Sequence, residues 1–301
     1  MTAPTAFQSA SSAQTLATAG VVAGAAAFGT LPLFTRVLAE AGLASPAIAF
    51  WRFALTALVL LPLLRLGAGA LRPTLWAMAG GAGMGLGWIG FVNSLGAMSI
   101  AEAGVLFMTY PAFTIAIAWL GFRERLRPVS IVATLLVVTA AVLAAPAGSL
   151  GGGTGEAVML ALFAPAAYGL LINILAYKTV SLRPLAVVGA VALGSVLALT
   201  PLVVRLPLHA IVPADLGALP WLFTFSVVTA LLPQFLFALC APRIGPVRTA
   251  ISGSMELVSM LVVAVVAYAE ALSPAQTLAA LLIIVAVGLG ARGRAPQPGP
   301  G

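Results

Sequence analysis

Charge is what this chain lacks. Of its 301 residues only 7% are Asp, Glu, Lys or Arg, whereas soluble domains carry about a quarter. So few ionised groups cannot clothe a water-soluble surface, and 62% of the chain is hydrophobic. The net charge of +7 therefore does not point to nucleic acid, because no basic soluble body is present to carry it. The single cysteine, Cys240, excludes an intramolecular disulfide. It lies in an apolar run and reads as a small packing residue. One histidine, His209, and scattered acids offer no metal cluster, no nucleophile with its base and no paired carboxylates. A membrane-embedded enzyme is accordingly the weakest reading, and no catalytic residue, metal or cofactor is assigned. Residues 1–14 contain neither Lys nor Arg. They lack the basic region of a secretory signal, so no cleavage is expected. Gly85-x-Gly87-x-x-Gly90 has dinucleotide-motif spacing. It follows no strand and has no acid about 20 residues on, so with Gly81 it reads as small-residue helix packing.

What is present is a succession of apolar runs of about 20 residues, each long enough to cross a bilayer as a helix. Ten spans are predicted, near 15–38, 46–66, 73–97, 102–120, 129–145, 157–177, 185–204, 216–241, 246–269 and 274–290. A tail over 1–14 precedes them. A glycine-rich linker, 148–155, divides residues 1–147 from 156–290, five spans on each side, and the Pro/Gly-rich tail 291–301 is expected to be disordered.

The two halves share a pattern. TYPAFTIAIAWLGFRERLRP over 109–128 matches MELVSMLVVAVVAYAEALSP over 255–274, with Glu124 against Glu270 and Pro128 against Pro274, an offset of 146 in both cases (270 − 124, 274 − 128). At that offset Tyr110 meets Glu256 and Pro111 meets Leu257. Arg123, Arg125 and Arg127 become Ala269, Ala271 and Ser273. Lys and Arg are retained in cytoplasmic loops. With the N-terminus inside, inner loops and tail hold Arg65, Arg72, Arg123, Arg125, Arg127, Lys178, Arg183, Arg243, Arg248, Arg292 and Arg294. Arg36 and Arg205 fall outside, and Arg52 lies just inside the second span. Both termini are thus expected in the cytoplasm. Five spans per half invert the second copy, which explains the stripped cations. The expected fold is all-α and integral to the membrane: ten transmembrane helices as two inverted five-helix repeats, N-in and C-in. Such repeats are a transporter signature, since related halves can rock about a central site.

Further motifs sit at matching places: Phe28-Gly29 against Tyr168-Gly169, Pro46…Trp51-Arg52-Phe53, Ala101-Glu102-Ala103, Tyr110-Pro111, and Gly121-Phe122-Arg123-Glu124-Arg125-Leu126. The second half adds Arg243-Ile244-Gly245-Pro246-Val247-Arg248, Met255-Glu256-Leu257 and Ala269-Glu270-Ala271-Leu272. In this order and spacing the chain resembles a ten-helix member of the drug/metabolite transporter superfamily with two EamA-type halves. The resemblance implies a multi-pass carrier of a bacterial-type inner membrane, commonly an exporter of amino acids or other small metabolites. An importer of a vitamin or nucleoside-like solute is the alternative. The implied partners are a small-molecule substrate and the lipid bilayer, with no nucleic acid.

Glu256 is the foremost candidate residue. It lies about ten residues into its span, near mid-membrane, where an ionisable group faces a wet cavity or a partner. Thr249, Ser252, Gly253, Glu256 and Ser259 share one helix face. Leu106, Phe107, Tyr110 and Phe113 occupy the equivalent positions in span four. A polar face opposite an aromatic one would suit a zwitterion with an apolar side chain. Trp88, Tyr168, Asn173 and Gln234 complete the expected substrate-binding set, each also readable as helix packing. Pro32, Pro111 and Pro233, like Pro165, each bare a carbonyl one turn earlier and are candidate hinges. With Glu256 and Glu102 they form the expected coupling and gating set. Glu102 also reads as a helix-start charge, Arg36–Glu40 as a surface pair, and Trp51, Trp76 and Trp221 as interfacial residues.

Overall fold

The computed structural model of the protein describes residues 5–64, 66–67, 69–98, 100–146, 148–213 and 215–292, with the side chains of 5–12, 100–101, 216 and 292 left undescribed. Arg65, Arg294, the side chain of Arg292 and the tail beyond 292 lie outside the described residues. The helices are α1 Thr5–Phe28, α2 Leu31–Glu40, α3 Ser45–Leu60, α4 Leu71–Ser94, α5 Ile100–Phe107, α6 Tyr110–Phe122, α7 Pro128–Ala144 and α8 Gly155–Tyr177. They continue with α9 Pro184–Val203, α10 Leu208–Ile211, α11 Leu219–Ser226, α12 Leu232–Ile244, α13 Pro246–Gly253, α14 Met255–Tyr268 and α15 Pro274–Arg292. Among the described residues nine stretches are long and apolar enough to cross a membrane, and Pro128–Ala144 is a shorter apolar helix. The first helix starts at Thr5, ahead of the expected start near residue 15.

Proline and glycine punctuate this order. Pro46, Pro128, Pro184 and Pro246 stand in the first turns of their helices, where a missing N–H costs nothing. Ser273 and Gln276 cap α15 reciprocally: the Ser273 N–H donates to Gln276 Oε1 (2.9 Å) and the Gln276 N–H to Ser273 Oγ (3.2 Å).

Lipid is as apolar as leucine, so burial of large side chains does not hold such helices together; close backbone approach and hydrogen bonds do. Large apolar residues accordingly face outward, among them Val266, Leu208 and Leu120. The tightest crossing joins α4 and α9. A methyl on Gly81 would strike the Val191 carbonyl, and one on Gly194 would strike the Met78 carbonyl. Each glycine thus lies on the partner's backbone, three residues before the partner's own glycine. Ser195 Oγ donates across the same contact to the Gly81 carbonyl (2.9 Å). Gly87 and Gly90 similarly approach the backbone of α8 at Ala164 and Leu160. The glycine motif is a packing surface.

Four spans are interrupted in mid-course. The chain turns at Gly29–Thr30 between α1 and α2, at 108–109 between α5 and α6, and at Ser254 between α13 and α14. A π-helical segment, Val227–Leu231, separates α11 from α12. Pro32, Pro111 and Pro233 each sit in the first turn after an interruption, whereas Pro165 lies within the continuous α8.

The offset of 146 recurs in the backbone. Arg123 (φ 54°) and Ala269 (φ 53°) are the non-glycine residues with positive φ among those described, and 269 − 123 = 146. Each ends its helix in the same turn, with the Glu124 N–H donating to the Ala118 carbonyl (3.0 Å) and the Glu270 N–H to the Ala264 carbonyl (3.1 Å). The helices they end begin at Tyr110 and Met255, just after the two interruptions.

Candidate functional site

The interruptions meet at the centre of the bundle. Irregular backbone at membrane depth is tolerated where protein buries it or a cavity is lined by it. Here both hold. Tyr168 of α8 stands at the hub, its ring 4.8 Å from Tyr110, 5.8 Å from Phe107 and 6.4 Å from Phe28, centroid to centroid. Phe237 of α12 closes the set against Phe28 at 5.8 Å. Tyr110 is fully buried and its hydroxyl donates to the Ala250 carbonyl (3.1 Å), tying α6 to α13. That hydroxyl occupies the space a side chain on Gly253 would need.

Glu256 is buried in the first turn of α14, two residues past the interruption at Ser254. Helix N-termini favour an anion, so the break itself offsets part of the cost of this carboxylate. Gly29 of α1 approaches the Glu256 carbonyl so closely that a methyl there would lie 2.8 Å from it. Of the polar face predicted around Glu256, Ser259 Oγ donates to the Ala26 carbonyl (2.7 Å) and Thr249 Oγ1 to the Gly245 carbonyl (2.7 Å). Both brace helices. Ser252 is buried beside Tyr110's contact on α13.

The basic member of the site is Arg52, which the sequence reading left at the edge of its span. It is buried, about 10 Å along α3 from Ser45. Its position has a covalent cause. Pro233 has no N–H to donate to Thr229, four residues earlier, so that carbonyl is bare. The Arg52 guanidinium fills it, donating from Nε (2.9 Å) and Nη2 (2.6 Å). Ser226 Oγ donates to the Arg52 carbonyl (2.8 Å) and is 3.0 Å from Thr56 Oγ1, which locks α3 onto α11. The charged carbon lies 5.3 Å above the Phe28 ring and 5.1 Å above Phe53, a favourable cation–π position. Arg52 and Glu256 lie within electrostatic range of each other. Among the described residues the ion pair formed is Arg36–Glu40 at 3.1 Å on the surface, not one between these two.

A cavity of about 40 Å³ opens on Arg52, lined also by Trp88, Met84, Thr35 and Phe225. That is room for about three waters, so the bundle is closed around its centre. Gln234 Nε2 reaches Met84 Sδ (3.8 Å) at the cavity wall. Trp88 stacks on Phe91 at 5.8 Å, and its buried Nε1–H has no partner.

Two predicted site residues hydrogen-bond to backbone. Asn173, expected to bind substrate, donates to the Thr114 (3.1 Å) and Gly169 (2.8 Å) carbonyls and braces α8 against α6. Glu102, expected as a gate, accepts from the Gly151 (3.2 Å) and Gly153 (3.1 Å) N–H groups and anchors the glycine-rich linker. Trp51 donates to the Ile211 carbonyl (2.7 Å), fastening α3 to α10, while Trp76 and Trp221 are exposed.

Broken apolar helices around a buried acid and a buried base define a multi-pass membrane protein with a central polar site. Residues 15–145 match the EamA-like transporter family. Over that stretch, a little under half of its length, the chain is similar to an EamA-like transporter domain. No curated protein matches the chain. Among solved structures it is similar to one described only as "Crystal structure of protein", with a TM-score of 0.73 and 18% identity over 91% of this chain and 96% of that one. At that identity the likeness concerns the fold.

Proposed function

We propose that the protein exports small amphipathic metabolites, foremost amino acids with apolar side chains, across a bacterial-type inner membrane by alternating access. The observation that carries this is the pairing, at the bundle centre, of a buried carboxylate (Glu256) with a buried guanidinium (Arg52) that are not ion-paired, beside a wall of aromatic rings. A zwitterion supplies an ammonium for the first, a carboxylate for the second and an apolar body for the rings. Phe107, Tyr110, Tyr168, Trp88, Ser252 and Gln234 complete the site.

Residues 156–290 act as a second EamA-type repeat, inverted relative to residues 1–147. The shared offset of 146 in the left-handed C-caps and in the Glu124 and Glu270 turns, with a break just before each of the two helices they end, supports this. The end of the bundle with Arg123, Arg125, Arg127, Lys178 and Arg243 faces the cytoplasm, with both termini, by the distribution of cations. The interruptions next to Pro32, Pro111 and Pro233 are the hinges on which the halves rock, with Glu256 at the pivot. Energy comes from a gradient.

Proteoliposomes preloaded with a mixed pool of amino acids, nucleosides and vitamins test the reading by mass spectrometry of what leaves. Selective loss of a few apolar amino acids is expected. Movement of nucleosides or vitamins in their place, or of nothing, would sink the amino-acid assignment.

A further inference from the structure

Arg52 is held by one acceptor only. Its Nε and Nη2 share the Thr229 carbonyl, and Nη1 has no hydrogen-bond partner among the described residues. Trp88, which lines the same cavity, has a buried Nε1–H that also lacks a partner. Trp88 Nε1 is a buried donor left unmade, which is costly, and together with the unpartnered Nη1 of Arg52 it suits a molecule that brings acceptors. The rest of the lining is mostly apolar: Met84, Phe53 and Phe225. Thr35 spends its hydroxyl on the Leu31 and Pro32 carbonyls, both at 3.0 Å.

We propose that Arg52 and Trp88 form a carboxylate-binding subsite, so that the transported solutes are those bearing a monocarboxylate next to an apolar body. One carboxylate oxygen takes the free Nη1 of Arg52 and the other the Trp88 Nε1–H. The Thr229 carbonyl keeps the Nε/Nη2 edge occupied, so the guanidinium plane is fixed before the solute arrives. A charge-assisted hydrogen bond from Nη1 in a site of low dielectric holds a carboxylate oxygen more strongly than a neutral donor would. Lysine cannot reproduce the arrangement, because it lacks the second edge that grips the helix. The arrangement also links solute to backbone: Arg52 bridges α3 to the π-helical segment before α12, so a carboxylate pulling on Nη1 pulls on Thr229. The solute class rests on the transporter reading; the subsite itself does not.

The test is therefore a binding measurement on the purified full-length protein in micelles, by titration calorimetry. The probes are a series of monocarboxylates from acetate to 3-phenylpropionate, each against the primary amine of equal length. Wild-type protein is expected to bind the longer carboxylates at least tenfold tighter than the matching amines. Arg52→Met should weaken carboxylate binding at least tenfold, Arg52→Lys nearly as much and Trp88→Phe severalfold, with amine binding unchanged in all three. Trp88→Phe keeps the test informative if Arg52→Met fails to fold. Carboxylates that bind no tighter than amines, no binding anywhere in the series, or variants that bind carboxylates as wild type does would overturn the subsite. Intact carboxylate binding with silent vesicles would instead sink the export reading and leave the subsite standing.

Discussion

Placing one methyl group on Gly81 tests the helix crossing that supports the site. A Cβ there would lie 2.9 Å from the Val191 Cα and closer still to its carbonyl oxygen, where 3.4 Å is ordinary contact. The obstacle is backbone, so no side chain can swing aside and α9 must move as a body. Overpacking of this kind costs about 1–3 kcal/mol. Displacement also strains the Ser195–Gly81 hydrogen bond, which within a membrane is worth about 0.6 kcal/mol. Against this, alanine regains about 1 kcal/mol of helix propensity. The net expectation for Gly81→Ala is a loss of about 0.6–2.6 kcal/mol, and the same for Gly194→Ala at the reciprocal contact. The two losses should not add, because they relieve one crossing. Gly83→Ala is the control: its methyl would meet the Ala167 Cβ at 3.7 Å, so stability should hold or rise slightly. Unfolding of the purified proteins in mixed detergent micelles titrated with SDS reads all four. Equal stability of Gly81→Ala and Gly83→Ala would refute the crossing.

Two further predictions concern the repeated helix ends. Ala269→Gly should stabilise the protein by about 1 kcal/mol, the cost of holding a non-glycine residue in left-handed conformation; a lower melting temperature would contradict it. Glu124, which accepts a hydrogen bond from the Tyr177 hydroxyl, has its carboxyl pushed above the ordinary 4.5 by burial, against the opposing pull of Tyr177 and Arg127. A raised carboxyl pKa favours the fold below the unfolded value and loses that contribution as pH rises through the folded one. Glu124→Gln should therefore flatten the decline in stability above about pH 4.5; melting curves from pH 4 to 8 with unchanged slope would count against it.

The spans were legible because lipid demands long apolar runs. The breaks were only half legible. Proline marked three of them, but Pro165 leaves α8 continuous. Arg52 was passed over because a cation near a span end normally reaches for water. The signal was nonetheless present in Pro233, whose missing N–H bares Thr229 and supplies a buried acceptor, but joining the two needs the contact of α3 with the π-helical segment. The contacts of Asn173 and Glu102 were not legible for the converse reason. Their partners, Thr114, Gly169, Gly151 and Gly153, are backbone groups, which no side-chain pattern reveals.

The role of Glu256 in transport is tested most directly by the initial rate of amino-acid efflux from preloaded proteoliposomes containing wild type or Glu256→Gln at equal, verified incorporation. The substitution keeps shape and removes charge. The account predicts efflux at least tenfold slower in Glu256→Gln with the melting temperature preserved; efflux at the wild-type rate would contradict it.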